Sequence, residues 1–207
     1  MHHSMLGALV AGGLALTTGV AAPSAAAADS DSGDTLTRLA TGSATLAGGE
    51  TSVRLPWGTR LEGTLNPDFS IDGGLHFSST PFTVELPGAT ARVRFVTTDP
   101  GGTTADGEGA VVVRSGFAVQ VTELFRDESP ETNLVRETCT SGEVTATLTG
   151  SWADIFTPTT LAGDLTVPTF RRCGASFLNL PSARDALVSG LLAGPGSTLE
   201  LSVAPVG

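Results

Sequence analysis

The run from Val111 to Val121 alternates without a break. Val111, Val113, Ser115, Phe117, Val119 and Val121 fall on one side, and Val112, Arg114, Gly116, Ala118 and Gln120 fall on the other. A period of two sends successive side chains to opposite faces of an extended chain, so this segment reads as a strand with one buried face. A strand of this length must coil to stay paired, and Gly116 is the expected place for a bulge or bend.

The same period recurs along the chain. Leu61, Gly63 and Leu65 alternate with Arg60, Glu62 and Thr64, and after Asn66-Pro67-Asp68 the series Phe69, Ile71, Gly73, Leu75, Phe77 resumes it, which predicts a hairpin with a proline turn. Phe82, Val84 and Leu86 form a strand ended by Pro87-Gly88, and Val93 and Phe95 another ended by Asp99-Pro100-Gly101-Gly102. The charged stretch Arg126 to Glu131 reads as an exposed loop. Val144, Ala146 and Leu148 supply one further strand, Leu161, Gly163, Leu165 and Val167 a second, and Leu199, Leu201 and Val203 a last one expected to pair within the main sheet.

A large-small-large pattern recurs in Leu61-Glu62-Gly63-Thr64-Leu65, Ile71-Asp72-Gly73-Gly74-Leu75 and Leu161-Ala162-Gly163-Asp164-Leu165. It is read as a packing device and not as duplication. One helix is predicted, over Ser182 to Ala193. Ser182 with Asp185 resembles a capping box, Ala183, Ala186, Leu187, Gly190 and Leu191 form an apolar stripe, and Gly194-Pro195-Gly196 stops it. About eight to ten strands with one late helix predict an all-β fold, an antiparallel two-sheet sandwich, with a closed or partly closed β-barrel as the alternative.

Ahead of the strands, Met5 to Val20 is an uncharged apolar run, followed by Ala21, Ala22, Pro23, Ser24 and the alanines 25 to 28. This is the composition of a secretory signal peptide, expected over residues 1–28 with cleavage after Ala28. The run is shorter and more diluted by glycine and threonine than a membrane span. The segment before it holds His2 and His3 but no arginine or lysine, a departure from the usual charged start. Residues 29–41 are polar and acidic, with no apolar period, and read as a flexible arm. Residues 42–207 then form a single β domain. No cysteine lies near the cleavage region and LELSVAPVG at the C-terminus carries no apolar tail, so the expected product is secreted, without a lipid anchor.

The net charge is −10, from 21 acidic and 11 basic residues, and every basic residue is arginine. An acidic surface repels phosphate backbones and argues against a nucleic-acid partner. Cys139 and Cys173 are the only cysteines. In an exported chain they are expected to pair, which closes a loop whose entropy corresponds to at most about 4 kcal/mol of stabilisation.

The segment from Leu161 to Leu201 contains Gly163, Pro168-Thr169-Phe170, Cys173-Gly174, the apolar helix and Gly194-Pro195-Gly196-Ser197-Thr198-Leu199. It resembles the C-terminal part of secreted actinobacterial β-rich proteins of uncharacterised function. That resemblance covers about a fifth of the chain and implies export and a paired cysteine. It carries over no catalytic residue and no ligand.

The chemistry-bearing residues are sparse. Behind the export segment His76 is the one histidine, and its place between Leu75 and Phe77 turns it away from the apolar face. No G-x-S-x-G elbow accompanies it, so a hydrolytic triad is not expected. Asp68 with Asp72, and Asp106 with Glu108, are the carboxylate pairs a glycosidase would need, but they sit at glycine- and proline-rich turns. Asp99 to Glu108 and Asp127 to Glu131 lack the spacing of a calcium loop. Trp57 and Trp152 are read as core plugs at strand ends. No catalytic, cofactor or metal set is assigned. The expected function is non-enzymatic, an interaction with a cell-envelope or extracellular component. The alternatives are a carrier of a small apolar ligand in a β-barrel and a carboxylate-dependent hydrolase.

Overall fold

The computed structural model describes residues 34–49, 52–66, 71–105, 108–152, 157–175 and 182–205. The expected export segment, 1–28, lies outside them. The strands are β1 (Asp34–Thr45), β2 (Val53–Arg54), β3 (Arg60–Leu65), β4 (Ile71–His76), β5 (Phe82–Leu86), β6 (Ala89–Ala105), β7 (Ala110–Arg126), β8 (Cys139–Ser151), β9 (Thr159–Val167), β10 (Phe170–Arg171) and β11 (Gly194–Pro205). The helix α1 (Ala183–Leu192) precedes the last strand. The fold is all-β and antiparallel, as the alternation predicts.

The ladders join eight strands in a ring: β8, β7, β6, β4, β3, β1, β11, β9 and back to β8. Two of its seams are narrow. β4 meets β6 through Ile71 and Thr103 alone, and β8 meets β9 through Thr149 with Ala162 and Gly150 with Leu161. These seams separate a three-strand arc, β6 to β8, from a five-strand arc, β9, β11, β1, β3 and β4. β2 continues the line of β3 along β1, β5 pairs with the first half of β6, and β10 pairs with β8.

The polar arm expected over 29–41 is strand from Asp34 onward, and β1 sits between β3 and β11. The inward positions explain why no apolar period was visible there. They are Arg38, Ala40, Gly42 and Ala44, small groups and one cation. Ala40, Gly42 and Ala44 lie opposite Val203, Leu201 and Leu199 of β11, whose larger side chains fill the space. Arg38 lies opposite Leu61 and is 1% exposed. Its guanidinium stands 5.0 Å from the centroid of the Trp152 ring, and its Nη1 donates to the Thr157 carbonyl at 3.4 Å. Stacking on an aromatic face is how a weakly hydrated guanidinium tolerates such burial.

The core follows the predicted faces closely. Val111, Val113, Phe117, Val119 and Val121 are fully buried, as are Val144, Ala146 and Leu148. Ser115 interrupts this face with a hydroxyl that donates to the carbonyls of Leu75 and Asp99, both at 3.3 Å. Phe77, Phe82, Phe95 and Phe117 form a cluster with centroids 4.6 to 5.2 Å apart, partly in edge-to-face contact.

β6 does not end at Asp99-Pro100-Gly101-Gly102 but runs on to Ala105. The register with β7 shifts between Thr97 and Asp99 and again between Asp99 and Gly102, and the Asp99 carboxylate accepts from Gly101 N at 2.9 Å. Turn chemistry here makes a bulge inside a strand, and the proline sits where no ladder donor is needed. The irregularity expected at Gly116 therefore lies on the facing strand, since Gly116 is the partner of Asp99.

The recurrent glycines have a steric origin. Gly63 and Gly73 are direct partners across β3 and β4. A Cβ on Gly73, which has φ +146, would lie 2.2 Å from the Glu62 carbonyl oxygen, and one on Gly63 would lie 2.6 Å from Ile71 Cγ2. On β9 a Cβ at Gly163 would come within 2.3 Å of the Thr147 carbonyl oxygen. Strands approach too closely at these points for any side chain.

Candidate functional site

Of the two tryptophans, only Trp152 is a core group, 8% exposed; Trp57 is 72% exposed. The reading of Trp57 as a core plug is corrected, and the local chain explains the difference. β2 ends at Arg54 and β3 begins at Arg60, and the ends of the connection between them are fastened to β1. Leu55 N donates to Gly42 O at 2.8 Å, and Thr59 O accepts from Ala40 N at 2.9 Å. Leu55 and Thr59 are buried. With both ends tied inward, Pro56, Trp57 and Gly58 arch outward, and Gly58 makes the turn with φ 101.

The base of this arch is also held from the next break in the ladder, between β4 and β5. Ser78 N donates to Thr59 Oγ1 at 3.2 Å, and Phe77 N donates to Thr97 Oγ1 at 2.9 Å. Beside it, on the outer face of β3 and β4, Arg60 faces His76 in register. Glu62 lies between them, paired with the Arg60 guanidinium and 4.0 Å from His76 Nε2. His76 thus points outward, as its alternation predicts. The exposed Trp57 arch thus leads directly into the strand that carries Arg60 and Glu62, with His76 of β4 paired to Arg60.

The other sequence-derived candidates that are described lie on separate elements. Asp72 is exposed on β4 and Glu108 lies in the turn before β7, while Asp68 and Asp106 fall outside the described residues. Asp99 is the bulge residue of β6, and Asp127 to Glu131 form an exposed turn after β7. No group of three or more metal-ligating side chains occurs among the described residues. Nor is any helix among them long and apolar enough to cross a membrane.

Cys139 and Cys173 are joined, with their Cα atoms 4.0 Å apart. The bridge ties the start of β8 to the segment after β10. Cys173 N donates to Asp185 Oδ1 at 2.7 Å, Ser182 N to Asp185 Oδ2 at 2.6 Å, and Asp185 N to Ser182 Oγ at 3.1 Å. The capping box read from the sequence is therefore complete, and it carries an extra bond to the disulfide segment. Asp185 is 4% exposed. Desolvation is the largest single influence and pushes its pKa up, but the bonds from Ser182 and Cys173, with help from Arg171, outweigh it and hold the carboxyl below its ordinary value.

Among the cavities lined by described residues, three open at the surface. Two flank α1, with volumes of about 380 and 580 Å³, and a third of about 370 Å³ lies on the outer face of β1, β11 and β9 beside Arg54 and Glu200. Comparison of the chain with family models, curated proteins and solved structures finds no match.

Proposed function

We propose that this chain is an exported, non-enzymatic binding protein that holds a cell-envelope or extracellular partner through the surface around Trp57. The observation that carries the reading is the exposure of Trp57 on an arch fastened at both ends. An exposed indole leaves a large apolar face uncovered, and aromatic groups of this kind are frequent anchors of interfaces. Arg60, Glu62 and His76 supply polar groups alongside. Export is supported by the N-terminal composition and is compatible with the disulfide.

The test is depletion from solution by cell-wall fractions. The full chain is expected to sediment with the wall material, and Trp57→Ala is expected to stay in the supernatant with an unchanged circular dichroism spectrum. Equal recovery of both proteins in the supernatant would sink the envelope reading. Because Trp152 is buried, iodide quenching of fluorescence should report Trp57, and loss of quenching in the bound state would place it at the contact.

A further inference from the structure

We infer that the groove between α1 and the segment that follows β7 is a second binding site, built for a small anionic amphiphile such as the carboxylate of a free aliphatic acid. This site is distinct from the Trp57 surface, and the inference does not depend on that reading.

The groove exists because the helix buries a different face from the one its apolar stripe suggests. Asp185, Val188 and Leu192 face the core. Asp185 is held by Cys173 and Ser182, and this fixes the rotation of the helix about its axis. The predicted stripe is consequently only partly covered. Ala183 is exposed, and Leu187 and Leu191 are only partly buried. Facing them is Leu134, which is drawn back against β7 because Leu134 N donates to Leu124 O at 2.9 Å. Asn133 pins the same segment: its Oδ1 accepts from Leu124 N at 3.0 Å and from Val135 N at 3.1 Å. Both walls are thus rigidly held, and the apolar strip between them is a consequence of the fold.

Charge decides the occupant. The larger cavity is lined by Leu134, Ala183 and Leu187, by the hydroxyl residues Ser129 and Thr132, and by Arg126 and Arg184. It has no carboxylate in its lining, although the chain holds 21 acidic residues against 11 basic ones. Neither Arg126 nor Arg184 forms an ion pair with a described residue. Arg126 also borders the smaller cavity, where Asp127 and Glu128 stand beside Leu124, Leu187 and Leu191, so the anionic head is assigned to the larger cavity. Volumes of about 380 and 580 Å³ suit a small molecule. In the larger cavity two arginines and two hydroxyl residues beside Leu134, Ala183 and Leu187 match an anionic head on a hydrocarbon body.

Isothermal titration of the full, oxidised chain with dodecanoate, below its micellar range, tests this. Saturable one-to-one binding is expected, weakened about fivefold or more by Arg126→Gln and by Arg184→Gln, and unchanged by Arg114→Gln on the outer face of β7. Dodecanol, which has the same chain without the charge, is expected to bind at least about fivefold more weakly than dodecanoate. Equal binding of the alcohol, indifference to both arginine substitutions, or no binding of dodecanoate would each overturn the inference. Binding to anionic phosphatidylglycerol vesicles without binding of the monomeric acid would overturn it in favour of a membrane surface. Self-association of the free chain that Leu187→Lys abolishes would overturn it in favour of a second copy.

Discussion

The Asp185 carboxylate accepts a hydrogen bond from the Cys173 backbone N–H at 2.7 Å, so the cap of α1 and the disulfide corner form one hydrogen-bonded unit. Because the folded-state pKa of Asp185 is depressed, its contribution to stability is fully present above the ordinary carboxylate value and is lost as pH falls through the lowered one. Asp185→Asn should cost about 2 kcal/mol at neutral pH, since charge-assisted bonds to buried backbone are lost. The gap between the two proteins should close below about pH 4. Urea denaturation at a series of pH values measures it, and a gap constant with pH would contradict the assignment.

Two glycines predict opposite signs. Gly73→Ala sets a methyl against the Glu62 carbonyl at a left-handed φ, and should destabilise by about 3 kcal/mol. Gly190 is exposed within α1, and a Cβ there meets nothing within 4 Å. Gly190→Ala should stabilise by about 0.8 kcal/mol through helix propensity. Thermal melts of the two variants check both.

Arg172, next to the disulfide, is the one non-glycine residue with positive φ among those described, at 61. A side chain in that region costs about 1 to 2 kcal/mol. Arg172→Gly should therefore match or exceed the natural chain in stability, and Arg172→Val should fall below it, because a β-branched side chain tolerates this backbone least. Denaturation midpoints of the two variants would decide it, and a less stable glycine variant would count against local strain.

Replacing Cys139 and Cys173 together by serine should lower stability by up to about 4 kcal/mol, the loop-closure value for a separation of 34 residues. Hydrogen exchange should increase most in α1, because the corner that orients its cap is released. Uniform exchange throughout the chain would show that the bridge constrains only the unfolded state.

The longer strands from Leu61 to Val203, the capping box at Ser182 and the cysteine pair were legible in the sequence, because each depends on a local period or on a short motif, whereas the two-residue β10 shows no period. β1 was not legible over its first half, since Arg38 and three small residues occupy its inward positions and hide the alternation. The extension of β6 through Pro100 was hidden for a related reason: a turn motif and a bulge share the same residues.

The candidate sites were less legible still. Trp57 has the same flanking chemistry as any strand-end aromatic, and its exposure follows from hydrogen bonds to Gly42 and Ala40 that lie far off in the chain. The groove beside α1 depends on which helix face Asp185 turns inward, and no pattern within the helix reveals that.

By itself the sequence determined the strand faces, one capped helix and the scarcity of catalytic side chains, because backbone periodicity and residue chemistry are local properties. Only the tertiary structure decided the closure of the ladder, the exposure of Trp57 and the placing of two arginines beside an apolar groove. These arise from contacts between distant segments, where the packing of one element determines what another leaves uncovered.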